Sequence, residues 1–254
     1  MSMALLDAFL DRYTLLARQR PALLMLFPLL VAAVVIFPAL QSWWATLLAV
    51  TGTCGVAVAL SEFAQAKGKA TEPGLLQLWD GLPSVGMLRY RDTRLDPTTK
   101  VRYKAFLEEH VPDLHFPDEA SERKSPTDAD TAYQSSTRWL LAQTRDKKTF
   151  ALLFQQNISY GFRRNCYGLR WYGLGSCIVA LLALIAAASY NMTSQAKVDG
   201  EIFVAGFVSA GAFWFWLSAV RPSWVKIAAN AYASELLAAC DKLKPAKGAR
   251  KDTA

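Results

Sequence analysis

Apolar and polar positions along this chain are sorted into long blocks rather than short alternations. Residues 21–40, 43–61, 171–190 and 202–220 contain no Asp, Glu, Lys, Arg or His. Each block approaches the roughly 20 residues that carry a helix across a hydrocarbon core of about 30 Å. The first two, read as one segment, would be twice too long for a single span. Pro38 and Gln41-Ser42 divide them, and Trp43-Trp44 read as interfacial rings. The joint between the other two is NMTSQAKVDGE, again flanked by aromatic residues. The pattern predicts an all-α fold: a polytopic membrane protein with four transmembrane helices in two hairpins, 21–63 and 171–220, and a helical cytosolic insertion, 64–170, between spans 2 and 3.

Two flanking segments complete the predicted organisation. Residues 1–20 read as an interfacial amphipathic helix, with Leu5, Phe9, Tyr13 and Leu16 on one stripe. Residues 221–254 read as a cytosolic amphipathic helix followed by a basic tail, with Val225, Ala228, Tyr232, Leu236, Ala239 and Leu243 at helical spacing. In the insertion, Asp96-Pro97 signals a helix start, and Thr127 or Asp128 caps a second helix. Thr149 opens a third that runs towards the third span, broken or kinked around Gly161 and Gly168. An acidic loop is expected from Pro112 to Pro126, carrying His110 and His115 at its edge.

Charge sets the orientation. Of 28 Lys and Arg residues, 17 lie between 64 and 170 and seven follow Val220, whereas the first joint has none and the second only Lys197. The positive-inside bias then places both termini and the insertion in the cytosol, in a multi-pass protein of the cell inner (plasma) membrane. The start is read as a retained signal-anchor hairpin, since no small-residue cleavage site interrupts the apolar run. The net charge of +7 is accounted for by this topology and does not call for nucleic acid. Basic flanks suit anionic lipid headgroups.

Two stretches carry candidate chemistry. In LWDGLPSVGMLRYRD, Trp79, Asp80, Gly81, Pro83 and Ser84 form a turn motif leading into a short helix, where Ser84 and Arg89 would meet a phosphate or remain an ordinary capped turn. In NISYGFRRNCYGLRWYG, the residues Asn157, Tyr160, Arg163, Arg164 and Asn165 would line a polar groove for an anion beside the third span, or anchor to lipid phosphate. The spans lack the midplane charges of ion-coupled transporters. They contain small residues, Gly52, Gly55, Gly206 and Gly211 among them, that let helices approach closely within one chain or in a homo-oligomer.

No histidine or cysteine spacing matches a metal site, no nucleotide loop is present, and no constellation names a catalytic reaction or a cofactor. The four cysteines read as unbridged. The expected function is an integral membrane protein whose cytosolic module senses a protein or an anionic ligand. Its oligomerised spans would act as a channel-like or membrane-perturbing effector. The alternative is a non-conducting membrane scaffold or accessory subunit that recruits cytosolic partners.

Overall fold

The computed structural model describes residues 12–37, 56–194 and 200–243, and every regular element among them is helical. A π-helical turn, Thr14–Gln19, runs into α1 (Arg20–Ile36). There follow α2 (Val56–Trp79), α3 (Pro83–Leu88), α4 (Pro97–His110), α5 (Glu119–Lys124), α6 (Pro126–Gln143), α7 (Ala151–Thr193), α8 (Gly200–Ser218) and α9 (Pro222–Leu243). Among the described residues three stretches are helical, long and apolar enough to cross a membrane: Thr14–Ile36, Ala151–Thr193 and Gly200–Ser218. The 43 residues of α7 rise about 64 Å at about 1.5 Å each, more than twice what a hydrocarbon core requires. Large apolar side chains stand outward on these helices, Phe207 at 83 % exposure and Phe203 at 69 %. The predicted second span lies mostly outside the described residues, as do Gly52, Gly55, Cys54, Leu5 and Phe9.

Two compact units result, Met1–Leu75 with Ile158–Val225, and Leu76–Asn157 with Lys226–Ala254. These divisions differ from the predicted ones. Residues 64–75 and 158–170 belong with the apolar helices, and α9 belongs with the insertion. The second unit shows why: Leu236, Leu237 and Cys240 of α9 are buried in one core with Val85, Leu88, Leu107, Tyr133 and Leu140. An amphipathic α9 without that core would expose its apolar stripe to water.

Local signals set the helix starts of the second unit. Asp96 accepts a hydrogen bond from Thr99 N–H at 2.8 Å, with Pro97 opening α4, so one of the unpaired N–H groups of the first turn is satisfied. Asp118 likewise caps α5 through Ser121 N–H at 2.7 Å, so part of the predicted acidic loop is helical. The second predicted helix begins at Pro126, with Ser125 as its N-cap, rather than at Thr127 or Asp128. His110 ends α4 with its ring stacked on Phe106, centroids 4.1 Å apart, and His115 is exposed.

In the first unit α1 lies along α8, and Ala32, Ala180, Leu184, Ile202 and Ala205 form one buried cluster of α1, α7 and α8. A second cluster joins Met25, Ala64, Leu169, Leu174 and Trp216. The expected break of α7 at Gly161 and Gly168 does not occur. Both glycines are instead close contacts, each filled by a neighbour. A Cβ at Gly168 would lie 2.4 Å from the carbonyl carbon of Lys67, and one at Gly161 would lie 2.7 Å from Tyr13 Oη. Gly173 sits against the Trp216 indole in the same way. Gly206 and Gly211, expected to pack helices, have no described residue within 4 Å of where a Cβ would stand, and among the described residues the close approaches belong to other glycines.

Backbone cannot yield as a flexible side chain does. Gly168→Ala is therefore expected to destabilise the full chain in detergent by about 1–3 kcal/mol, read as a lower melting temperature by circular dichroism. Gly206→Ala, placed where there is open space, should leave melting unchanged or slightly raised by helix propensity.

Candidate functional site

The turn motif folds as a strained connection between α2 and α3. Asp80 and Gly81 both take positive φ, +61° and +101°, and Gly81 N–H returns to Leu76 O at 2.9 Å. Asp tolerates this region better than most residues, and Gly is free of its steric cost. Leu82 then precedes Pro83, and α3 buries Ser84, Val85, Gly86 and Met87. Ser84 thus faces the interior rather than an open helix end, which removes it from the expected phosphate contact.

Arg89 follows α3 and is only 8 % exposed. Its Nε and Nη2 donate to the two oxygens of Asp130 at 2.8 and 2.6 Å, and its Nη1 donates to Asp80 at 2.5 Å. This bidentate clamp is the strong form of a charge-assisted pair. The candidate anion-binding arginine is committed to carboxylates, a correction that rests on Asp130, a residue 41 positions away. Lys100 holds the following loop by donating to the carbonyls of Arg89 and Asp92 at 2.7 and 2.5 Å. Burial would raise the Asp92 carboxyl, but the hydrogen bonds from Arg94 outweigh it and hold the group below the usual carboxylate range.

These groups wall a cavity of about 480 Å³. Arg89, Arg91, Arg94 and Lys226 contribute four cations, against Asp80 and Asp92. Trp79, Leu82 and Pro83 provide an apolar wall, and Asn230 completes the lining. Arg94 donates to Asp92 through Nε and Nη2, and through Nη1 to Asn230 Oδ1 at 2.8 Å. Four of the singled-out residues, Trp79, Asp80, Pro83 and Arg89, meet here, and Gly81 makes the turn that allows it. Lys226 and Asn230 were not legible as site residues. Their only signal was a polar i, i+4 pair beside the apolar stripe of α9.

Comparison with protein-family models, curated proteins and solved structures finds no match.

The second stretch does not form an open groove. Tyr160 Oη donates to Glu72 at 3.1 Å, and Arg164 Nη1 donates to the other oxygen of Glu72 at 3.3 Å. Asn165 is fully buried, its Nδ2 donating to Ala17 O at 2.7 Å. Arg163 donates to Trp224 O at 3.0 Å, with its guanidinium 5.1 Å from the centre of that ring. Tyr13 and Ala17 occupy the space above Gly161 that the groove required. Asn157 is grouped with the other unit and is half-buried. These residues therefore join helices to one another. Among the described residues no three His, Cys, Asp or Glu side chains come together as a metal site would need.

A buried network that the sequence did not announce sits in the second unit. Lys104 Nζ donates to Tyr133 Oη at 2.9 Å, and Tyr133 Oη donates to Glu122 at 2.5 Å. Glu122 also accepts from Tyr90 N–H at 3.0 Å. The ammonium lies 3.5 Å from the centre of the Tyr90 ring and 4.9 Å from that of Tyr133. Cation–π contact replaces part of the lost hydration. Burial still pushes the Lys104 ammonium down to about 8, and burial, then the Glu122 contact, pushes the Tyr133 hydroxyl up.

Lys104 binds its proton less tightly in the fold than in the unfolded chain, whose lysine value is 10.5. The unfolded chain carries more protons between those values, so stability rises as pH goes from about 8 towards 10.5. Urea unfolding of the full chain should show a gain of about 1 kcal/mol between pH 8 and pH 9. Lys104→Met should remove most of that slope.

Proposed function

We propose that this chain is an integral inner-membrane protein whose second unit is a cytosolic receiver for an anionic ligand and whose spans act as a channel-like or membrane-perturbing effector. In this reading the four spans form two hairpins, 21–63 and 171–220, with both termini cytosolic. The observation that carries it is the cavity of about 480 Å³ with four cations against two carboxylates, in a unit whose residues fall outside the four apolar blocks. Arg89, Arg91 and Arg94 are each paired with a carboxylate, and Lys226, with no such partner among the described residues, is the charge left facing the opening.

Further features support the reading. Phe203, Phe207 and Trp214 on α8 are at least two-thirds exposed, as side chains facing lipid or another subunit would be. No described residue stands within 4 Å of where a Cβ on Gly206 or Gly211 would be, and the protein is proposed to form a homo-oligomer through these small residues. Anionic lipid headgroups are the proposed partners of the basic residues beside the spans. Absence of midplane charge in the apolar blocks disfavours coupled transport and leaves passive perturbation.

The test is expression in bacteria with a potential-sensitive dye, comparing the full chain with an Arg91→Glu, Lys226→Glu double variant at equal membrane insertion. The full chain is expected to depolarise the cell and the double variant to have lost that response. A full chain that inserts and leaves the potential intact overturns the effector reading in favour of a non-conducting scaffold.

A further inference from the structure

We propose that the basic cavity of the second unit takes a phosphomonoester carried on a planar aromatic body, in its simplest form a mononucleotide. This names the ligand class of the site on which the functional reading rests.

The charges of the cavity divide into fixed and uncommitted groups. Arg89 is held by Asp130 and Asp80, and Arg94 by Asp92 and Asn230. Arg91 gives only Nη2 to Asp80, at 2.5 Å, and its side chain is 65 % exposed, so Nε and Nη1 are uncommitted. Lys226 makes no hydrogen bond or ion pair with any described residue, although it lines the cavity. Asn230 uses Oδ1 for Arg94, which leaves its Nδ2 donors. An arginine edge, a lysine point charge and an amide are the donor set that a phosphate dianion takes. With Asp130 counted as the partner of Arg89, four cations stand against three carboxylates, and Lys226 is the positive charge left for an anion.

The rest of the lining excludes a bare ion as the natural fit. A cavity of about 480 Å³ is of the size that binds small organic molecules, and phosphate alone would leave most of it to water. Trp79, Leu82 and Pro83 line it with apolar surface, and an indole is a stacking partner for a planar ring. Gly86 lets the Arg94 guanidinium lie against α3, since a Cβ there would stand 2.8 Å from Arg94 Nη2.

The experiment is equilibrium dialysis of the full chain in detergent against labelled adenosine monophosphate, with guanosine, cytidine and uridine monophosphates, adenosine and inorganic phosphate as competitors. Saturable binding is expected, competed by the mononucleotides and only weakly by adenosine or phosphate. Lys226→Glu and Arg91→Glu should each weaken it about tenfold or more, with unchanged melting temperature. Trp79→Leu should weaken mononucleotide binding while leaving competition by inorganic phosphate in place. No binding of any mononucleotide by the folded protein overturns the proposal, as does binding that adenosine competes equally well or that Lys226→Glu leaves intact. Binding to vesicles containing phosphatidic acid, lost in Lys226→Glu and without mononucleotide binding, would assign the phosphate to a lipid and overturn the planar body. Depolarisation that still depends on Lys226, with no mononucleotide bound, would overturn the ligand class and leave the anion-receiver reading standing.

Discussion

The guanidinium of Arg89 ties together the turn after α2, the end of α3 and the first half of α6. Asp130 takes two of its N–H directions in a fork, and Asp80 takes a third. A buried charge left without such partners would cost several kcal/mol, so the pairing dictates where each of these segments lies. The loop after Arg89 inherits that position, and Lys100 secures it through two carbonyls. Arg91 and Arg94 are then presented to one cavity, with Lys226 and Asn230 from α9. An arginine that looks in isolation like a ligand-binding group is the frame on which the other groups of the cavity hang.

The first unit meets its polar demands differently. Its helices satisfy their own backbone groups, as segments surrounded by apolar side chains must. Its polar side chains bridge helices, among them Arg164 and Tyr160 on Glu72, Asn165 on Ala17 O, Ser176 on Met25 O, Arg163 on Trp224 O and Arg18 on Glu62. Glycines do the complementary work, letting α7 approach the backbone of α2 at Lys67 and the indole of Trp216. The cost of a glycine inside a helix, about 1 kcal/mol against alanine, is offset where any Cβ would collide.

Local chemistry was legible because it acts over a few residues. Asp96-Pro97 starts a helix through a bond three residues on, and Asp80-Gly81 before Pro83 makes the turn that its residue types favour. The candidate site was half visible for the same reason: its turn is contiguous, whereas Asn230 meets Arg94 across 136 residues. The stretch 157–165 misled in the opposite direction. Its mixture of Asn, Tyr and Arg resembles a binding surface, but Tyr13, Ala17 and Glu72 fill the space in front of it.

By itself the sequence determined that the chain is helical, where its apolar helices and several helix ends lie, and that positive charge concentrates between and after them. Periodicity, capping and the length of an apolar run depend on neighbours within one or two turns, so they can be read without a fold. Only the tertiary structure decided which charges pair with one another and which glycines are close contacts. Ion pairing and steric contact act over a few ångströms between groups far apart in the chain. Their outcome exists only once those groups have been brought together.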